Sequence, residues 1–188
     1  MTVLVEKILS EYSPESIKRV FELFNEMENS GVVSSYALGG ATAANLYVDP
    51  MNTLDLDFFV LVQQSKSLDF LKPITEFFRS KGYEFSEDGY FVIEGNLIQV
   101  LPAEGTEVSK AAVEDRVFDG SLGGFVFSPE YVVADAVLHS SFSRADKFKF
   151  RVELFLKNKA VDFEGLERIL EKLGLKEKFE RLFGNVKG

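Results

Sequence analysis

Two acidic side chains on one strand face, with a glycine pair shortly before them, are the residues of this chain best suited to chemistry. Asp55 and Asp57 lie in the run TLDLDFFV and alternate with Leu54, Leu56 and Phe58. Side chains alternate across a strand, so both carboxylates point one way and the apolar residues the other. The carboxylates then stand roughly 6.5–7 Å apart along the strand, near enough to share one hard cation or bracket two. Charged groups in an otherwise apolar strand are costly unless something binds them. Gly39-Gly40 follows the short apolar run Ser34 to Leu38 and precedes a helix-favouring stretch, Ala41 to Tyr47. A glycine pair there frees backbone N–H groups and lets the chain approach a phosphate closely. Phosphate binding by the turn and Mg²⁺ binding by the acidic strand are the two parts that phosphoryl or nucleotidyl transfer requires.

Around these residues the pattern predicts an α+β domain. Ser13-Pro14-Glu15 signals a helix start, and Ile17, Val20, Phe21 and Phe24 recur at helical spacing up to Ser30-Gly31. Strands are expected at Ser34 to Leu38 and Leu54 to Val62, with a helix over Leu68 to Arg79. Tyr83 to Ser86, Tyr90 to Ile93 and Asn96 to Leu101, separated by turn-like Glu87-Asp88-Gly89 and Glu94-Gly95, predict an antiparallel meander. Arg116 to Phe118 and Phe125 to Phe127 bracket glycines and suggest a hairpin. From Pro129 the chain reads as helical: Glu130 to Ser141, Arg144 to Leu156, Phe163 to Leu173 and Lys176 to Phe183. The expected division is a core over residues 1–127 with a helical region, 128–188, packed on it as one compact unit.

Composition narrows the function classes. The chain has 188 residues, 46% of them hydrophobic, enough for one well-formed core. The absence of cysteine excludes disulfides, thiolate metal sites and thiol catalysis. A single histidine, His139, cannot build a His-based metal site, and its neighbours Val137, Leu138 and Phe142 suggest packing or surface. The first residues, TVLVEKILSEY, are too short and too charged for a membrane segment, so a cytoplasmic protein is the expectation. Net charge is −9 but unevenly spread: residues 1–143 carry −13 and residues 144–188 carry +4. The acidic part argues against a large nucleic-acid footprint. In the basic part, Arg144, Lys147, Lys149 and Arg151 either contact phosphate or form a solvated helix face.

The stretch YALGGATAANLYVDPMNTLDLDFFV, Tyr36 to Val60, resembles the signature of the nucleotidyltransferase (polymerase-beta-like) superfamily. It looks most like the small prokaryotic branch that includes AbiEii-type toxin nucleotidyltransferases, and FSPEYVVADAVLHSSFSRADKFKF, Phe127 to Phe150, resembles that branch's helical region. The resemblance implies a mixed sheet flanked by helices and transfer of a nucleoside monophosphate from an NTP to a hydroxyl acceptor. It implies nucleotide binding at Gly39, Gly40, Thr42 and Thr53, and Mg²⁺ or Mn²⁺ at Asp55 and Asp57 as the catalytic pair. Arg144 and Lys147 are the expected phosphate contacts.

The chain departs from that pattern where a third strand should bring another carboxylate. Its strand Asn96 to Ala103 carries Gln99 at the matching position, and a neutral amide is no general base near neutral pH. Glu94 and Glu104 are the nearby acids. Met51, Ala136 and Lys149 also stand where the branch favours Arg, Lys and an acid. Two readings follow. One is a metal-dependent enzyme acting on an NTP and a small-molecule or unknown acceptor. The other is a non-catalytic protein that binds nucleotide or an antitoxin-type partner.

Overall fold

The computed structural model describes residues 14–49, 51, 53, 55–62, 70–141 and 145–184. Ser13, Leu54 and Arg144 therefore lie outside the described residues. In chain order the elements are α1 (Pro14–Asn29), β1 (Ser35–Leu38), α2 (Gly40–Ala44), β2 (Asp55–Leu61), α3 (Leu71–Ser80), β3 (Phe91–Ile93) and β4 (Asn96–Pro102). A 3-10 turn (Ala103–Gly105) follows, then α4 (Glu107–Glu114), β5 (Val117–Asp119) and β6 (Gly124–Val126). The remainder is helical: α5 (Pro129–His139), α6 (Ala145–Lys157), α7 (Phe163–Lys172) and α8 (Lys176–Phe183).

The strands form one mixed sheet in the order β3-β4-β2-β1-β6-β5. β2 runs antiparallel to β1 and parallel to β4. Register between β2 and β4 sets Asp55 beside Leu97, Asp57 beside Gln99 and Phe59 beside Leu101. Residues paired across a ladder share a face, so Gln99 stands next to Asp57 on the acidic side of the sheet.

The opposite face is the aromatic core. Leu56, Phe58 and Val60 are fully buried, as period-2 alternation requires. Phe58 stacks on Phe24 of α1 at 3.9 Å between ring centroids and meets Phe21 edge-on at 5.3 Å. Phe78 of α3 packs against both Phe24 and Phe91. Such offset and edge-to-face pairs add roughly 0.5–1.5 kcal/mol each beyond burial, so α1 and α3 fix the back of the sheet firmly. The front is covered by α5, which packs against α2, α4, α6 and α7. Its burial is nearly all-round, Tyr131 through Val137, which explains the apolar run that defines it.

Three expectations need correction. The meander has two strands, because Tyr83 to Ser86 contributes a single bridge, Phe85 to Phe91. The helix after the glycine pair ends at Ala44 instead of Tyr47. Its continuation is held open by Asn45, whose side-chain amide donates to the Met51 carbonyl at 2.9 Å while its oxygen accepts from the Met51 N–H at 2.7 Å. The third concerns α4, which the reading by pattern omitted. Its local signals are an N-cap and a spacing: Thr106 Oγ1 accepts from the Ser109 N–H at 2.9 Å, and Val108, Ala111 and Ala112 fall on one face.

Candidate active site

Between the acidic sheet face and the helices lies an open cleft of about 550 Å³. Asp55, Asp57, Gln99 and Phe59 line it from the sheet, Gly40 and Ala41 from α2, and Thr53 from the loop. Asp135 and His139 of α5, with Lys147, Phe148 and Arg151 of α6, form the facing wall. Thr106 and Ser109 of α4 close one end.

The glycine pair divides its labour. Gly39 belongs to the scaffold: its N–H donates to the Asp57 carbonyl at 2.8 Å, and a Cβ there would meet Phe59 at 2.6 Å and Phe127 at 2.9 Å. Gly40 belongs to the cleft. It has φ +65°, and a Cβ would lie 2.0 Å from Asp57 Oδ2. The residue must be glycine both for its left-handed backbone and for the space the Asp57 carboxyl fills. Since α2 is only five residues long, close backbone approach matters here more than a helix dipole.

The two threonines hold Asp55 from either end. Thr42, buried on α2, donates to its main-chain carbonyl at 3.0 Å, and Thr53 donates to its Oδ1 at 3.0 Å. Asp57 is more enclosed. Burial, then the neighbouring Asp55 charge, pushes its carboxyl up to about 6, with Arg151 and Lys147 pulling the other way and Asp135 adding to the rise. Among the described residues neither Asp55 nor Asp57 takes part in an ion pair. A strand that carries two carboxylates into a partly enclosed site with no counter-ion on them is disfavoured unless a cation completes it.

On the facing wall two charged side chains are almost wholly buried, Asp135 at 5% and Arg151 at 3% exposure. Among the described residues each leaves a buried polar atom without a hydrogen bond, Asp135 Oδ1 and Arg151 Nε. Burial works against the Arg151 cation while Asp135 and Asp57 favour it. Helical geometry explains the grouping: Asp135 and His139 are four apart on α5, Lys147 and Arg151 four apart on α6, so each pair shares a face.

The structure thus brings Gly40, Thr53, Asp55, Asp57, Gln99 and Lys147 into one cleft. Gly39 and Thr42 sit behind it as supports, and Lys149 does not line it. Glu94 and Glu104 are exposed and also lie off its lining, so neither supplies the further carboxylate that the resemblance implied near Gln99. Reading by pattern did not single out Asp135, and it assigned His139 to packing or surface. The signal for both was a polar residue on a helix otherwise apolar on every side.

This architecture, a mixed sheet with an acidic central strand behind a glycine turn, is a nucleotidyltransferase-like α+β fold. Among solved structures, the chain is similar to an antigenic nucleotidyltransferase-like protein from Paracoccidioides brasiliensis, with a TM-score of 0.53 and 18% identity over 93% of this chain and 95% of that one. No family model and no curated protein matches the chain by sequence. Among the described residues no helix is long and apolar enough to cross a membrane.

Proposed function

We propose that this protein transfers a nucleoside monophosphate from an NTP to a hydroxyl acceptor, with Mg²⁺ held by Asp55 and Asp57. One observation carries the reading: two carboxylates without ion-pair partners among the described residues line one cleft with a buried Arg151 whose Nε has no hydrogen bond. Negative wall and positive wall match the two halves of a metal–triphosphate, a cation and the anion it neutralises.

The donors fit such a metal. Carboxylate oxygens suit a hard divalent ion. Among the described residues no cluster of three or more His, Cys, Asp or Glu converges. Two protein ligands are the usual share for Mg²⁺, which keeps several waters and takes the rest of its shell from phosphate. When bound, the ion neutralises phosphate charge and polarises the phosphorus under attack. The chain's own residues do the positioning. Gly40 leaves room beside Asp57, and Thr53 and Thr42 fix the Asp55 rotamer and strand. Arg151 and Lys147 meet the polyphosphate oxygens from the far wall, where a guanidinium can offer paired donors.

Gln99 supports a second reading, nucleotide binding without turnover, because it sets an amide next to Asp57. Thermal unfolding with Mg²⁺ and each NTP in turn tests the first claim. A ligand that binds only the native state raises Tm by mass action. The expected result is a Mg²⁺-dependent rise with at least one NTP, absent in the Asp55→Asn/Asp57→Asn double variant. An equal rise in that variant overturns the metal assignment. Pyrophosphate release then separates transfer from binding alone.

A further inference from the structure

The transfer reading leaves one chemical task unfilled, because the attacking hydroxyl must lose a proton and Gln99 cannot take it. Among the described residues lining the cleft, Asp55 and Asp57 are committed to the cation, Asp135 is buried at 5% exposure against His139, Lys147 and Arg151 are cations themselves, and hydroxyl and phenol groups are weak bases near neutral pH. His139 remains. Its Nδ1 lies 2.9 Å from the main-chain carbonyl of Asp135 and 3.3 Å from Asp135 Oδ1. A carbonyl oxygen only accepts, so Nδ1 carries the proton, and in the neutral ring the lone pair is on Nε2. Because the Nδ1–H is directed to the carbonyl, Oδ1 stays without a hydrogen bond of its own despite its closeness. The main-chain carbonyl of Asp135 thus holds the imidazole in one tautomer, with the Asp135 carboxylate close beside it, on a helix that lines the cleft.

We propose that His139, oriented by Asp135, is the proton acceptor for the attacking hydroxyl, supplying from the helical wall what the third strand lacks. The inference rests on the nucleotidyl-transfer reading. In the step, the hydroxyl proton passes to His139 Nε2 as the oxygen lone pair forms a bond to the α-phosphorus. The bond from that phosphorus to the bridging oxygen breaks, and pyrophosphate leaves with the electron pair. The imidazolium then returns its proton to solvent, so the step involves no oxidation or reduction. The groups facing His139 set its titration. Asp135 on its own helix raises it, chiefly through the nearby carboxylate, against burial. Lys178 of α8, which donates to the Leu138 carbonyl at 2.6 Å, lowers it. The Phe148 ring of α6 lies 5.4 Å away, and Lys147, Arg151, Asp55 and Asp57 share the cleft.

The single histidine makes the test direct, since one ring signal in a proton NMR spectrum is His139 without further assignment. Its titration is followed in the full chain alone and with Mg²⁺ and α,β-methylene-ATP. The midpoint should lie above that of a free imidazole, fall in Asp135→Asn, and the signal should move over the analogue concentrations that raise Tm. Pyrophosphate release from Mg-ATP, with glycerol as the hydroxyl, is then measured against pH. Wild-type rate should climb with pH as His139 loses its proton, and Asp135→Asn should move that climb to lower pH. His139→Gln should lower kcat about 10²-fold with KM for ATP unchanged. An analogue that raises Tm without moving the signal overturns the proposal, as does wild-type kcat in His139→Gln. No rise in Tm at all removes the nucleotide reading itself, and this inference with it. A protein that binds the analogue yet releases no pyrophosphate also ends the proposal, while leaving nucleotide binding intact.

Discussion

The two walls of the cleft are built by different rules. The sheet wall takes its chemistry from neighbours in sequence: Asp55 and Asp57 are two residues apart, and Gly40 reaches Asp57 because β1 and β2 are adjacent strands. The helical wall assembles Asp135, His139, Lys147 and Arg151 from two helices, and its two buried charges, Asp135 and Arg151, meet only where those helices pack. Charge divides unevenly: Asp55 and Asp57 are on the sheet, while the helical wall carries the cations Lys147 and Arg151 together with the buried Asp135. In the function proposed here the sheet wall would receive the cation and the helical wall the anion, each ligand relieving the electrostatic cost of the groups that meet it.

The largest expected effect lies on the sheet wall and concerns pH. The folded state holds the Asp57 proton up to about 6, whereas an unfolded aspartate releases it near 3.9. Between those values the native state binds more protons, so metal-free stability should fall as pH rises and level off above about 6. The loss is on the order of 3 kcal/mol. Denaturant unfolding across pH 4–7 should show this slope in the wild type and its removal in Asp57→Asn. A flat wild-type profile would mean Asp57 is better solvated than its burial indicates.

Next comes the contact between glycine and carboxylate. Gly40→Ala adds a Cβ at a left-handed backbone position, costing roughly 1–2 kcal/mol, and drives it into Asp57 Oδ2. A destabilisation of about 2 kcal/mol or more is expected, with loss of the Mg²⁺-dependent rise in Tm. Wild-type stability in this variant would break the idea that the turn is shaped around Asp57.

Smaller effects test the coupling between the walls. Arg151→Met removes a cation that favours ionised Asp57. The Asp57 midpoint should rise above about 6 and NTP affinity should fall roughly 10-fold, a loss of about 1.4 kcal/mol. Calorimetric titration at pH 7 and at pH 8 separates the two consequences. Equal affinity to the wild type at both pH values would confine Arg151 to packing. Gln99→Asp should have the mildest effect, lowering metal-free stability by about 1 kcal/mol through a third negative charge, with Mg²⁺ restoring it. A neutral result at every metal concentration would place the Gln99 side chain away from the Asp57 carboxyl.

How much of this was legible in the sequence follows from the same division. Period-2 alternation through Leu56, Phe58 and Val60 identifies β2 and its faces without any coordinates, and the glycine pair marks the turn. Gln99 was singled out through the resemblance, which implies a carboxylate on a later strand at that position. α4 is short and its start rests on one side-chain cap, Thr106 accepting from the Ser109 N–H, so it left little pattern to read. Asp135 was hidden more deeply. A lone acid on an apolar helix looks like surface until the opposing helices pack on it, and only then does Arg151 join His139, one turn further along the same helix, as its neighbour. Pattern reports which side of an element faces inward. It does not report what meets that side from another part of the chain.

The sheet order has a consequence for the chain as it leaves the ribosome. β1 lies in the middle of the sheet, with β2 on one side and β6 on the other. β6 joins it through Leu38 opposite Val126, and the Phe127 N–H then donates to the Leu38 carbonyl at 2.9 Å. The ~90 residues between those partners take roughly 5–20 s to synthesise at 5–20 residues per second. Throughout that interval β1 presents an open edge next to the aromatic cluster of Phe21, Phe24 and Phe58, the kind of edge on which nascent chains pair with one another. Chains halted between residues 62 and 123 should therefore depend on chaperones far more than the finished protein, whose edge Gly124–Val126 has closed.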